Sequence, residues 1–151
     1  MISCSYNKIF SRFHGKITDP KLASLEENDL LEYEIEWLHT AMGNAYLMDI
    51  FSSFDADDDI QEISFELKNP SNDFFDREYI IRLFSLAMTI NWLEPQVNSI
   101  LYTAPMIGGK EEKKLLDGHS DMMKNYESMK IQLNKEIASK NSFKNEYLKT
   151  E

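Results

Sequence analysis

The spacing of apolar residues most constrains this chain, because they recur every three or four positions in three long segments. That period places apolar side chains on one face of an α-helix, and such a face is buried only when it packs against another element. The first segment carries the pattern at Leu30, Leu31, Ile35, Leu38, Met42, Ala45 and Met48. Ser24 and Glu27 have the spacing of a capping box, so we predict one helix from this pair to about Phe51.

The second and third segments predict two further long helices. The second has apolar residues around nearly its whole circumference, at Tyr79, Ile80, Leu83, Phe84, Ala87, Met88 and most of 90–93. We expect it to be the central, most buried helix, with Pro95 kinking or ending it, although the helical pattern resumes at Val97. The third segment carries a narrow apolar stripe at Met122, Tyr126, Met129, Leu133 and Ile137.

Shorter features lie around these helices. Ile9, Phe10 and Phe13 have helical spacing, and residues 63–67 alternate between apolar and polar side chains as a half-buried strand does. The segment 102–110 contains a proline and a Gly-Gly pair, which predict a loop. Six aromatic residues are expected to fill much of the core: Trp37, Phe74, Phe75, Tyr79, Phe84 and Trp92.

Together these patterns predict a mainly α fold. It is a helical bundle of three long helices plus a short amino-terminal helix, with one short β-strand or hairpin segment near residues 61–68. Residues 1–140 are predicted to form a single helical domain. Residues 141–151 are mostly polar, so we expect a carboxyl-terminal arm.

Charge and composition exclude several classes of function. The formal charge of −10 argues against a domain that grips DNA by neutralising its phosphates, since that requires a basic face. The single cysteine, Cys4, cannot form an intramolecular disulfide, and the first ten residues lack the apolar core of a signal peptide. We therefore expect synthesis in a reducing intracellular compartment. The apolar runs are too short to cross a bilayer, so no membrane association is predicted.

An acidic segment raises the question of metal binding. Asp55, Asp57, Asp59 and Glu66 occupy the first, third, fifth and twelfth places of an EF-hand calcium loop. Ile60 stands where the loop needs glycine for its sharp turn, and a strand pattern follows in place of the exiting helix. We therefore expect an acidic surface turn and no metal site, while cation binding by these carboxylates stays open.

No residue pattern in the sequence predicts catalysis. The sequence Gly108-Gly109-Lys110 lacks the first glycine and the hydroxyl residue of a phosphate-binding loop. The three histidines are too widely spaced for a local zinc motif, and Cys4 has no histidine near it in sequence. The expectation is a protein that is not an enzyme, with no catalytic residues and no cofactor.

Two features point to protein partners. The strand at residues 63–67 has no obvious partner in its own chain, so we expect it to pair with another subunit or to pack as an edge, with Phe65 at the contact. Phe143, Tyr147 and Leu148 would form an apolar ridge if the terminal segment became helical on a partner. These four residues are the predicted partner-binding residues.

The order of these segments resembles a known family. The resemblance rests on the aromatic start and turn at 13–19, the block from Glu78 through Ala87 to Pro95, and Asn125-Tyr126 in the charged last helix. In layout and style the chain resembles the small head–tail connector (adaptor) proteins of tailed bacteriophages, which join the portal ring to the tail.

That resemblance implies a virion structural protein of the neck, synthesised in the cytoplasm of the bacterial host. It implies a homo-oligomeric ring, twelvefold beneath the portal, with the portal protein and a further neck or tail protein as partners. DNA would pass through the lumen without specific binding, which an acidic lining permits. The alternative is a cytosolic helical protein-interaction or regulatory module without catalysis.

Overall fold

The computed structural model describes the backbone of residues 1–142 and the side chains of all of these except residues 20, 102, 141 and 142. The mainly α fold is confirmed, with six helices and three strands in this part of the chain. They are β1 (Ile2–Ser5), α1 (Tyr6–His14), α2 (Pro20–Ala23), α3 (Glu27–Met42), α4 (Ala45–Met48), β2 (Phe51–Asp57), β3 (Glu62–Leu67), α5 (Asp73–Ile107) and α6 (Gly109–Ser142).

The three strands form one antiparallel sheet in the order β1-β3-β2. The predicted strand is confirmed as β3, but the expectation that it lacks a partner within the chain is wrong. Phe65 is paired with Ile2 on one side and Phe54 on the other, and its side chain is fully buried. Phe65 is therefore a core residue, and the prediction that it contacts another subunit is wrong.

The first long helix is shorter than predicted. It ends at Met42, and Asn44 begins the short helix α4 by accepting hydrogen bonds from the amides of Tyr46 and Leu47. The helix starts at Glu27 without a side-chain cap, so the predicted capping box does not form. The next segment, predicted as its last turn and an acidic loop, is strand β2, whose pairing with β3 overrides its local pattern.

The core lies where α5 crosses the sheet and helices α1 and α3. From Ile80 to Ile90 every residue of α5 except Arg82 is buried, so the helix is covered on nearly all sides there. Phe84 stacks on Phe51 with ring centroids 6.2 Å apart, and Phe51 meets Phe65 edge-on at 5.7 Å. The prediction of a central buried helix is confirmed. Phe74 and Phe75, also predicted in the core, are instead exposed at the start of α5.

Helix α5 continues through both of its prolines to Ile107. A proline removes one backbone donor and leaves the carbonyl four residues earlier without its partner. Pro95 and Pro105 both lie on the solvent side of the helix, where water can bond these carbonyls. Gln96 adds a side-chain hydrogen bond to the carbonyl of Trp92 at 3.2 Å. The helix does not end at Pro95. The loop predicted to start at residue 102 is also wrong, because α5 continues there.

Helices α5 and α6 form an antiparallel hairpin joined through Gly108 alone. Gly108 and Gly109 have φ of +71° and +65°, a region that favours glycine, and they reverse the chain within two residues. Helices of 35 and 34 residues are about 50 Å long. They therefore extend past a folded body of roughly 100 residues, whose radius of gyration is about 13 Å.

We call residues 1–93 and 126–142 the base, and residues 94–125 the stalk. In the stalk only a seam between the two helices is covered. Its members in the stalk follow a heptad spacing, which Leu93 and Tyr126 continue into the base: Val97, Ile100, Ala104, Glu112, Leu115, His119 and Met122. The apolar stripe predicted for the last helix is thus confirmed as the α6 side of this hairpin, and α6 continues it into the base.

The open end of the hairpin is fixed to the base by a buried ion pair. The Lys140 ammonium lies 3.2 Å from Oδ1 of Asp76, and that carboxylate also accepts from the amide of Ser71. The Tyr79 hydroxyl donates to the Glu136 carbonyl at 2.9 Å. These contacts hold the end of α6 against the first turns of α5. The predicted terminal residues Phe143, Tyr147 and Leu148 lie outside the described part of the chain.

Candidate partner-binding surface

The residues considered for catalysis hold the base together. Cys4 is buried in β1, and burial raises the pKa of its thiol to about 11, so it is protonated at neutral pH. His14 is hydrogen-bonded to Glu34, which is buried on the inner side of α3. Burial raises the pKa of Glu34, and the hydrogen bond from His14 opposes that shift. Both groups join α1 to α3.

A second polar cluster ties the hairpin of β2 and β3 to two helices. The Tyr6 hydroxyl donates to Oδ1 of Asp58 at 2.6 Å, and Nε2 of His39 lies 3.0 Å from the same oxygen. The hydrogen bond from Tyr6, and after it the one from His39, lower the pKa of Asp58. Burial and the nearby Asp58 carboxylate raise the pKa of Tyr6. Asp58 is therefore an ionised acceptor and Tyr6 a neutral donor. Neither is tuned to exchange a proton near neutral pH.

The acidic segment does not have the geometry of a calcium loop. Asp55 and Asp57 lie on β2 and Glu66 on β3, so strands flank the segment where an EF-hand has helices. Asp57 accepts the amide hydrogen of Asp59 at 2.9 Å, which closes a tight turn. Within residues 1–142 no group of three or more His, Cys, Asp or Glu side chains is arranged to hold a metal ion.

The end of the stalk presents exposed apolar side chains. We call residues 101–116 the tip. Its large apolar side chains are Leu101, Met106, Ile107 and Leu116, and Met106 is 86% exposed. Leu101 directly follows the seam residue Ile100, and Leu116 directly follows Leu115. In an antiparallel hairpin, positions that directly follow seam residues lie on the same side of the two helices. Exposed apolar groups gathered in this way are typical of a protein-binding surface.

One polar seam residue in the stalk is buried. His119 is 8% exposed, between Leu115 and Met122 on α6, and its Nε2 has no hydrogen-bond partner among the described residues. A buried polar atom without a partner costs free energy, so the seam is weaker here than an apolar one would be.

Three lysines lie beside this apolar patch. Lys110, Lys113 and Lys114 are exposed in the first two turns of α6, and none forms an ion pair with a described side chain. The positive end of a helix dipole disfavours lysine in these turns. Helix stability therefore does not account for them. Glu111 and Glu112 lie between them, so the three lysines and two glutamates give the tip a net charge of +1 in a chain of net charge −10.

The tip could not be recognised from the sequence because its proline and glycines predict a loop. The Gly108-Gly109 pair connects two helices, whereas a phosphate-binding loop connects a strand to a helix. A usable signal was present: the apolar spacing at Val97, Ile100 and Ala104 continues the seam of α5 past Pro95.

A search of protein-family models, of curated proteins and of solved structures finds no match to this chain. Among the described helices none combines the length and apolar character needed to span a membrane.

Proposed function

We propose that this chain is a structural assembly protein, and specifically a head–tail connector that forms a ring below a portal and joins the DNA-filled head to the tail. The observation that carries the proposal is the stalk, a helical hairpin that extends from a well-packed base and ends in exposed apolar residues. Such an element is suited to docking between subunits, because its contact side chains are already solvent-facing.

The charge of the chain supports the same proposal. A net charge of −10 leaves most of the surface acidic, and DNA slides past an acidic wall because it finds no cations to bind its phosphates. DNA would then pass through the ring without specific binding. The portal protein and a further neck or tail protein would contact the two faces of the ring.

The alternative, a cytosolic helical interaction or regulatory module, is favoured by a different observation. The stalk is a two-helix hairpin with a heptad seam, and two such hairpins can pack into a four-helix bundle. A small oligomer of this kind would work without a virion. Particle size separates the two proposals, since twelve copies of a 17.7 kDa chain have a mass of about 210 kDa.

The test is incorporation into purified phage particles, with mass photometry of the isolated chain. We expect Met106→Gln combined with Ile107→Gln to abolish incorporation while the helical circular dichroism signal stays unchanged. Ile60→Gln is the matched control, because Ile60 is 66% exposed in the turn between β2 and β3, away from the stalk. A chain absent from particles, and found only as a dimer or tetramer, would favour the alternative.

The carboxyl-terminal arm stays a prediction. The described anchors of α6 end at Lys140, so deletion of residues 141–151 should leave the base folded. Loss of particle attachment with an unchanged melting temperature would support an arm that binds the neighbouring ring. Normal copy number of the truncated chain would contradict it.

A further inference from the structure

The tip combines two kinds of contact group within a short stretch. Met106 and Ile107 project at the end of α5, and Lys113 and Lys114 lie just across the turn on α6. A surface with apolar side chains and unpaired lysines beside them is complementary to a partner surface that has an apolar hollow with a carboxylate rim.

The outer face of α3 has this complementary character. A surface hollow of about 440 Å³ lies against the helix, with Leu25 and Tyr33 contributing its apolar wall. Asp29, Glu32 and Glu36 form its carboxylate rim. These three carboxylates are exposed, unlike Glu34 on the inner side. The tip and the hollow are thus matched in both polarity and charge.

We infer that the tip of one copy docks into the α3 hollow of a second copy of this chain. Met106 and Ile107 contact Leu25 and Tyr33, while the lysines pair with the rim carboxylates. The charge complementarity identifies the occupant. Two copies of a chain of net charge −10 repel each other on average, whereas the tip, whose three lysines and two glutamates give it a net charge of +1, is attracted to an acidic face.

The contact joins two different surfaces, so each docked copy still presents an unused tip and an unused hollow. Such head-to-tail contacts continue until they close into a ring or extend into a filament. The inference rests on the proposed function for the closed ring, but the pairing of tip and hollow stands on the residues themselves. It deepens the proposed function by naming the surfaces that join neighbouring subunits.

Charge reversal tests the pairing by sedimentation velocity. The tip-reversed variant is Lys113→Glu with Lys114→Glu, and the hollow-reversed variant is Glu32→Lys with Glu36→Lys. Each variant alone places like charges against each other at the contact. We therefore expect its self-association to be at least roughly tenfold weaker than that of the unaltered chain. An equimolar mixture restores association, because each tip then finds a hollow of opposite charge on the other variant.

The control is Lys124→Glu with Lys135→Glu, which changes the net charge equally at exposed positions of α6 away from the tip. It should associate more strongly than either reversed variant, and circular dichroism should show all variants folded. The inference is overturned if the mixture does not associate, if only one of the two reversals weakens association, or if the unaltered chain is monomeric up to its solubility limit. A monomeric chain that still enters particles would overturn this contact and leave the proposed function standing.

Discussion

Helix α5 passes through both the base and the stalk, and its two halves are buried differently. Between Ile80 and Ile90 it is covered on nearly all sides by the sheet, α1, α3 and α6. Among the described side chains of α5 beyond Leu93, only Val97 and Ala104 are buried, on the side facing α6. The same helix is a core element in one region and half of a two-helix hairpin in the other.

This difference in burial assigns the stability of the fold to the base and contact with partners to the tip. Burial of apolar area stabilises a fold by roughly 25 cal/mol per Å², so most of the free energy of folding comes from the base. The stalk buries a single seam that includes the unpartnered His119, and it leaves apolar groups exposed at the tip. We therefore expect mutations in the base to change folding and mutations at the tip to change association.

The largest expected effect comes from truncating α5 in the base. Phe84→Ala removes a fully buried ring that stacks on Phe51 and should lower the free energy of unfolding by about 3–5 kcal/mol. Leu101→Ala, on the same helix in the stalk, should change it by less than about 0.5 kcal/mol because that side chain is 47% exposed. Urea unfolding followed by circular dichroism measures both. Similar losses for the two variants would contradict the division into base and stalk.

The turn of the hairpin should show an intermediate effect. Gly108 has φ of +71° and ψ of 174°, a conformation nearly confined to glycine, so Gly108→Ala should cost about 1–3 kcal/mol. Gly118 lies inside α6 with no heavy atom near its missing Cβ, so Gly118→Ala should stabilise by roughly 0.5–1 kcal/mol. Thermal melts of the pair should move in opposite directions. If both variants melted lower than the original chain, the helical path of the tip would be wrong.

The smallest effect is expected at the seam of the stalk. His119→Leu removes the unpartnered Nε2 and should stabilise the hairpin by on the order of 1 kcal/mol. His39→Leu is the control, since it removes a hydrogen bond to Asp58 in the base and should lower stability. Slower amide exchange across the stalk of the His119 variant is the readout. Faster exchange there would show that the histidine has a partner and stabilises the seam.

Features set by local periodicity could be predicted from the sequence. The buried half of α5 has apolar residues all around, and the stripe at Met122, Met129 and Ile137 lies on one face of α6. Each of these patterns is complete within a few turns of helix, so no distant contact is needed to interpret it. The alternation of strand β3 is local in the same way.

Strand β1 could not be predicted because its pairing partner is distant in sequence, with Ile2 opposite Phe65. Strand β2 is adjacent to its partner β3 in sequence, but a bulge breaks its alternation. A bulge between Phe51 and Ser53 shifts the register of β2, so Phe51 and Phe54 reach neighbouring positions with ring centroids 4.8 Å apart. The helix predicted before β2 was too long because Met42, Ala45 and Met48 keep helical spacing across the break between α3 and α4. The unpartnered appearance of β3, and with it the misplaced role of Phe65, followed from that error.

The tip could not be predicted from the sequence for a different physical reason. Proline and glycine predict breaks because they remove a backbone donor or relax the backbone, but an exposed proline can lie within a helix. Pro105 is exposed, so α5 continues past it, and Gly108 then needs no further residues to reverse the chain. The candidate surface therefore required the three-dimensional path of both helices.

The most direct test of the account is hydrogen exchange by mass spectrometry on the isolated chain and on its assembled form. In the isolated chain, amides of residues 94–125 should exchange faster than those of residues 80–90, because two helices with one seam open more readily than a helix covered on nearly all sides. On assembly, amides of the tip should slow by the largest factor while those of residues 80–90 stay unchanged. Slowing confined to strands β1 and β2, with an unchanged tip, would show that the chain assembles through the edges of its sheet and would contradict the account.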